Sequence, residues 1–191
     1  MLLIISGPSG VGKTTITRAV ERTIADAVFS VSATTRPKTD ADVDGVDYHF
    51  LGEQEFKRRE AAGEFLETAV YAGNNYGTLR APVEAQLSRG RLMILEIDVQ
   101  GAKSVKRQVA SAFALFVLPP SEEALLERLR ARKREAEEVI QRRFNLAREE
   151  IAEAKRCGAY DAFLVNDDLE RSIPEALRLV TEARAARRVK A

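Results

Sequence analysis

Leu2-Leu3-Ile4-Ile5-Ser6-Gly7-Pro8-Ser9-Gly10-Val11-Gly12-Lys13-Thr14 opens the chain, an apolar run that stops at a glycine-rich loop ending in Lys-Thr. The loop spells G-x-x-x-x-G-K-T, the P-loop pattern. The run before it has the unbroken apolar character of a strand buried on both faces. After Lys13, residues Ile16, Ala19, Val20 and Ile24 recur at helical spacing. The loop therefore joins a strand to a helix, where successive backbone N–H groups can point at phosphate oxygens from the positive end of the helix. Lys13 is then expected at the β- and γ-phosphates of a nucleotide, and Thr14 is expected to offer its hydroxyl to magnesium. The expected ATP-binding segment is Gly7, Pro8, Ser9, Gly10, Val11, Gly12, Lys13, Thr14 and Thr15.

The remaining strands follow by periodicity. Val28 to Val31 reads as a second strand. The polar, turn-forming Ser32 to Thr39 reads as a binding loop, and an acidic stretch leads from it to a short strand around Asp47 to Leu51. A helix from Glu53 to about Ala62 stops at Gly63. Phe65 to Tyr71 has β character, and Gly73-Asn74-Asn75-Tyr76-Gly77 turns the chain before another short strand. The apolar strands Leu92 to Ile97, Phe113 to Leu118 and Phe163 to Val165 alternate with helices at about 81–88, 98–109, from Glu122, and from about Ile173. Such alternation predicts an α/β fold, a parallel sheet covered by helices on both faces, with a small β-rich insertion. Between Leu129 and Ile151, dense charge at three- and four-residue spacing predicts a salt-bridged helical hairpin. An arginine-rich hairpin bordering the sheet suits a lid over a transferred phosphoryl group, and Arg132 and Arg143 are the candidate lid cations.

Composition narrows the function classes. The 191 residues fit one domain with inserted subdomains, and 45% hydrophobic content suffices for a core. With 30 basic and 29 acidic residues no global field favours nucleic acid or membrane, so neither is an expected partner. Cys157 is the one cysteine and reads as a packed or incidental thiol rather than a reactive one, while His49, the one histidine, reads as a strand residue. With no basic leader ahead of the first strand and no membrane-length apolar run, a cytoplasmic protein is expected.

Taken together, these segments resemble the guanylate kinase family: the P-loop, Ser30-Val31-Ser32-Ala33-Thr34-Thr35-Arg36, Asp47-Tyr48, Phe65-Leu66-Glu67, Gly73-Asn74-Asn75-Tyr76-Gly77, Glu96-Ile97-Asp98-Val99-Gln100-Gly101 and Val165-Asn166-Asp167-Asp168, in that order. The resemblance implies ATP-dependent phosphorylation of GMP to GDP, with deoxy-GMP as a further acceptor and Mg2+ accompanying ATP. It implies a P-loop core at 1–32, 81–128 and 151–191, a GMP-binding subdomain at 33–80 and a lid at 129–150. By the same resemblance, Glu67 and Asp98 accept hydrogen bonds from guanine and Ser32 and Thr78 help read the base. Arg36 forks onto the GMP phosphate with Tyr48 and Tyr76 beside it, and Asn166 contacts the adenine side of ATP. Guanine chemistry agrees, because its N1–H and exocyclic amine are donors on one edge and suit carboxylates.

The sequence departs from the family in the loop after Arg36. Thr39 stands where a second phosphate-binding arginine is usual, and Asp42 replaces a glutamate. Lys38 is the neighbouring cation, and lacking a planar fork it grips phosphate differently, so weak GMP binding is expected. Glu96 stands in an aspartate's place near the magnesium. Two alternatives stay open at this stage: a P-loop kinase for another small acceptor, such as AMP or a sugar phosphate, and a non-catalytic module that binds phosphorylated peptides through the GMP site.

Overall fold

A computed structural model describes residues 1–71, 73–131 and 136–188; Arg132 lies outside them. The central strand β1 (Leu2–Ser6) is completely buried. It is hydrogen-bonded in parallel to β7 (Leu92–Glu96) on one side and β8 (Phe113–Leu118) on the other. Strands β2 (Ala27–Phe29) and β9 (Ala162–Val165) complete a five-stranded parallel sheet in the order β2-β7-β1-β8-β9.

Strand alternation sends the apolar run of β1 to two separate cores, which explains why it reads as continuous. Leu3 and Ile5 join Leu92, Ile94, Leu115 and Val117 against α1 (Lys13–Thr23) and α7 (Leu169–Arg188). Leu2 and Ile4 join Met93, Leu95 and Ala114 against α3 (Arg80–Ser88) and α4 (Val99–Gln108). Both faces of the sheet are thus covered, as the alternation predicts. Ile4 has no exposed surface. Ile4→Ala is expected to cost about 2–5 kcal/mol, and a thermal melt should show a midpoint lower by roughly 5–15 °C.

A second, four-stranded sheet has the order β4-β3-β6-β5, with β3 (Ala33–Thr34), β4 (His49–Phe50), β5 (Phe65–Tyr71) and β6 (Asn74–Leu79). Its own small core stacks Phe56 of α2 (Glu53–Ala61) on Phe65, their centroids 4.6 Å apart. The register of β5 on β6 shifts between Phe65 and Glu67, a bulge, and strand alternation sends neighbouring side chains to different surroundings. Phe65 serves the small core, and Leu66 enters the core beneath α3 and α4. The small sheet is anchored there by Gln108 Nε2, which donates to Leu66 O at 2.7 Å.

Helices α5 (Glu122–Ala131) and α6 (Glu137–Arg156) pack through Leu125, Leu129, Ile140 and Ala147. Arg130 pairs with Glu137 and Arg148 with Glu122, the surface ion pairs expected of a charged hairpin. Cys157 lies against the sheet as a packed thiol, its Sγ 3.5 Å from Ala154 O.

Several boundaries differ from the sequence expectation. The second strand stops at Phe29, because Ser30 and Val31 leave the large sheet toward the small one after Ser30 N donates to Ile94 O. The loop read at Ser32 to Thr39 contains β3, too short for a period-2 signal. Strand β6 begins at Asn74 within the segment read as a turn. Helix α7 starts four residues before Ile173. Asp168 Oδ1 accepts from Glu170 N at its start, and Pro174 lies inside the helix. No helix among the described residues is long and apolar enough to cross a membrane.

Candidate active site

The P-loop sits at the carboxyl end of β1, where Gly12 leads into α1 with φ of 88°. Only glycine holds that conformation without strain, and space forbids anything larger: a Cβ there would lie 2.5 Å from Asn166 Nδ2. Asn166, after β9, donates from that nitrogen to Val11 O at 2.8 Å and is 3% exposed. It therefore braces the loop from behind. Lys13 Nζ donates to Gly7 O at 3.1 Å and stands 4.0 Å from Glu96 Oε1. Thr14 Oγ1 donates to the same Glu96 oxygen at 2.7 Å. From α6, Arg143 Nη2 hydrogen-bonds Ser9 Oγ, so the helical hairpin reaches the loop.

Three hollows meet at this loop. One of about 220 Å³ is lined by Pro8, Ser9, Gly10, Gly12, Lys13, Thr14 and Thr15. A groove of about 570 Å³ runs between Val11, Gly12 and the segment Asn166 to Leu169, with Arg128 at its side. The third, about 300 Å³, lies between the two sheets. Gly7, Ser9, Lys13 and Arg143 border it on the P-loop side, and Ser32, Tyr48, Glu67, Tyr76 and Asp98 on the other. Its cross-strand logic is visible in β5, where Glu67, Ala69 and Tyr71 at two-residue spacing all line the cavity. Tyr48 and Tyr76 meet edge to face, 5.7 Å between centroids, and make an aromatic wall.

Glu67 is 7% exposed, and burial pushes its carboxyl up to about 7 despite the hydrogen bond it accepts from Thr78 Oγ1 at 2.6 Å. The nearby Asp98 charge pushes in the same direction. Gly101 is what allows the carboxylate in: a Cβ on it would come within 2.8 Å of Glu67 Oε2. Asp98 caps α4, its Oδ1 accepting from Gly101 N at 2.7 Å. Thr78 itself is 1% exposed and does not line the cavity, so its hydroxyl orients Glu67.

Arg36 is likewise not among the lining residues. Its guanidinium is forked onto Asp42, with Nη1 3.0 Å from Oδ2 and Nη2 2.9 Å from Oδ1. That fork holds the Asp42 carboxyl far below the ordinary carboxylate range.

Glu150 is a cavity residue that the sequence reading missed. Burial pushes its carboxyl up to about 7, with the Lys13 charge opposing and the Asp98 charge assisting. Its position seven residues after Arg143, on the same helix, was the available signal, because i and i+7 share a helix face. Leu146, between them, also lines the cavity.

A parallel sheet with a P-loop at the end of its central strand, opening on a second cavity lined by carboxylates of which Glu67 is buried, defines a P-loop kinase. The comparisons refine that class. The guanylate kinase family model matches residues 1–183. A guanylate kinase of Symbiobacterium thermophilum is 47% identical over 190 residues, covering 100% of this chain and 88% of that protein. One of Gloeobacter violaceus is 48% identical over 181 residues, covering 95% and 87%. The crystal structure of guanylate kinase from Anaplasma phagocytophilum superposes with a TM-score of 0.73 at 30% identity, covering 97% of this chain and 85% of that one. The chain belongs to the guanylate kinase family.

Proposed function

We infer that this protein transfers the γ-phosphoryl group of ATP to GMP, giving ADP and GDP. The observation that carries the reading is that one cavity has a phosphate cradle, Ser9 and Lys13, on one side and the acceptors Glu67, buried, and Asp98, half-buried, on the other. A ligand filling it needs an anionic end and a donor-rich end, which describes guanosine monophosphate. Family membership and the complete Gly12-Lys13-Thr14 favour an enzyme over a binding module, and the paired carboxylates favour guanine over adenine.

In this reading the P-loop N–H groups and Lys13 hold the ATP phosphates, and the groove beside Asn166 receives the adenosine. Glu67, held by Thr78, and the free oxygen of Asp98 accept from the guanine N–H groups, with Ser32 at the same wall and Tyr48 and Tyr76 flanking. Arg36 engages the GMP phosphate. Arg143, with Arg132 as its proposed companion, covers the transferring group. The acceptor oxygen then attacks the γ-phosphorus in line, and the fixed cations stabilise the charge that spreads over the phosphoryl oxygens. The GMP phosphate oxygen attacks as an anion, so no general base is required.

Thr14 and Glu96 offer two hard oxygen donors beside the cradle, a fit for magnesium, which takes one or two protein oxygens and completes its shell with phosphates and water. Bound with ATP, it would neutralise β- and γ-phosphate charge.

The test is ADP production with ATP, magnesium and GMP, AMP, CMP or UMP. GMP is expected to be preferred by at least about a hundredfold in kcat/KM, since each unpaired buried acceptor costs about 1–3 kcal/mol. Equal use of AMP would remove the guanine-reading roles. Binding of GMP by folded protein without turnover would favour the module.

A further inference from the structure

We propose that Asp42 is a built-in competitor for the acceptor's phosphate at Arg36. The inference rests on the reading that the cavity takes GMP and concerns how tightly it does so. A carboxylate presents two oxygens to an arginine fork much as a phosphate does, and both terminal nitrogens of Arg36 are committed to Asp42 at 3.0 and 2.9 Å. Nη1 also donates to Pro37 O at 3.0 Å. The arrangement is held from several sides. Thr39 N and Thr39 Oγ1 each donate to Asp42 Oδ2 at 2.7 Å, and Asp42 N closes the turn on Thr39 O. The rings of Tyr48 and Phe50 lie 5.3 and 5.4 Å from the guanidinium carbon.

Bidentate engagement of a phosphate by Arg36 requires these contacts to be exchanged. A phosphate that instead approached the intact pair would meet the Asp42 charge beside the arginine's. Either way, part of the attraction of Arg36 is cancelled before the substrate arrives. Thr39 strengthens the competitor, because its hydroxyl and N–H orient the carboxylate toward the fork. GMP affinity is therefore set by the Arg36–Asp42–Thr39 group as a whole, and the carboxylate acts on the phosphate end of the ligand alone.

The experiment compares wild type and Asp42→Asn for binding of GMP and of guanosine, and for KM of GMP and of ATP. Asparagine preserves size and one acceptor while removing the charge. The expected result is a Kd and KM for GMP lower by about two- to tenfold, with guanosine affinity and KM for ATP unchanged. Thr39→Val should shift GMP in the same direction by less, and Asp42→Asn should have no effect in an Arg36→Ala background. A GMP Kd that rises or stays constant in Asp42→Asn, at an unchanged melting temperature, overturns the proposal and makes Asp42 a support for Arg36. Equal gains for guanosine and GMP overturn it too, since competition acts only at the phosphate. Wild-type protein that fails to bind GMP would overturn the acceptor reading itself, and the inference with it.

Discussion

Lys13→Met is expected to lower kcat with GMP by about 10²- to 10³-fold while leaving the melting temperature within a few degrees of wild type. Lys13 lines both the P-loop hollow and the cavity between the sheets, so in the proposed reaction its ammonium stands where the two phosphate-bearing substrates meet. Its contacts in the free protein are Gly7 O and, at 4.0 Å, Glu96. These are modest stabilising interactions, which is why stability should change little. Phosphoryl transfer involves little covalent chemistry for the protein to perform, and its rate depends on positioned charge. Methionine keeps the length of the side chain and removes that charge. Single-turnover measurement of GDP formation, together with a thermal melt, checks both halves of the prediction. A kcat within threefold of wild type would remove Lys13 from the chemistry.

Glu67→Gln is expected to raise the KM for GMP by about a hundredfold and to narrow the preference for GMP over IMP, which lacks the exocyclic amine. Glu67 Oε1 already accepts from Thr78, and the amide can present only one acceptor where the carboxylate presents two. The same substitution separates binding from stability through pH. Burial pushes the Glu67 carboxyl in the free protein up to about 7, above its value in the unfolded chain. Between about pH 4.5 and 7 the folded state holds the extra proton, so this group favours folding at acid pH and withdraws that contribution as pH rises through 7.

In the proposed reading guanine is accepted by the ionised form, so GMP affinity is expected to run the other way and fall as pH drops below about 7. Glu67→Gln should therefore melt higher than wild type at pH 8, on the order of 1–2 kcal/mol more stable, and should lose much of the wild-type pH dependence of GMP binding between pH 6 and 8. Glu150, also pushed up to about 7, retains its own share of the stability profile in the variant. A wild-type GMP affinity that is flat from pH 6 to 8 would show that Glu67 is already ionised when the ligand arrives.

How much of this was legible in advance depended on how local the controlling interactions are. The order of residues 2–14 dictated a strand, a phosphate-binding loop and a helix, since each is specified by neighbours within a few positions. Alternation of apolar strands with helices dictated a parallel sheet covered on both faces. The residues that converge on the cavity between the sheets, from Ser32 to Asp98, were legible through family resemblance, and Glu67, Tyr48, Tyr76, Asp98 and Ser32 do line it together. Two-residue β3 was not legible, because a strand that short is made by its partners: Ala33 pairs with both His49 and Gly77.

The tertiary structure alone decided what each side chain in the site experiences. Glu67 is raised because the small sheet and Gly101 of α4 enclose it, and Glu150 because α6, distant in sequence from both, closes over the same space. Asn166 borders the groove beside Gly12, and its amide nitrogen at the same time braces Val11 across 155 positions of sequence. Thr78 turned inward to hold Glu67, and Arg36 turned to Asp42. Backbone pattern and motif depend on short-range sterics and hydrogen bonding, which the chain carries with it. Protonation and the choice of partner depend on burial, and burial exists only once distant segments have packed.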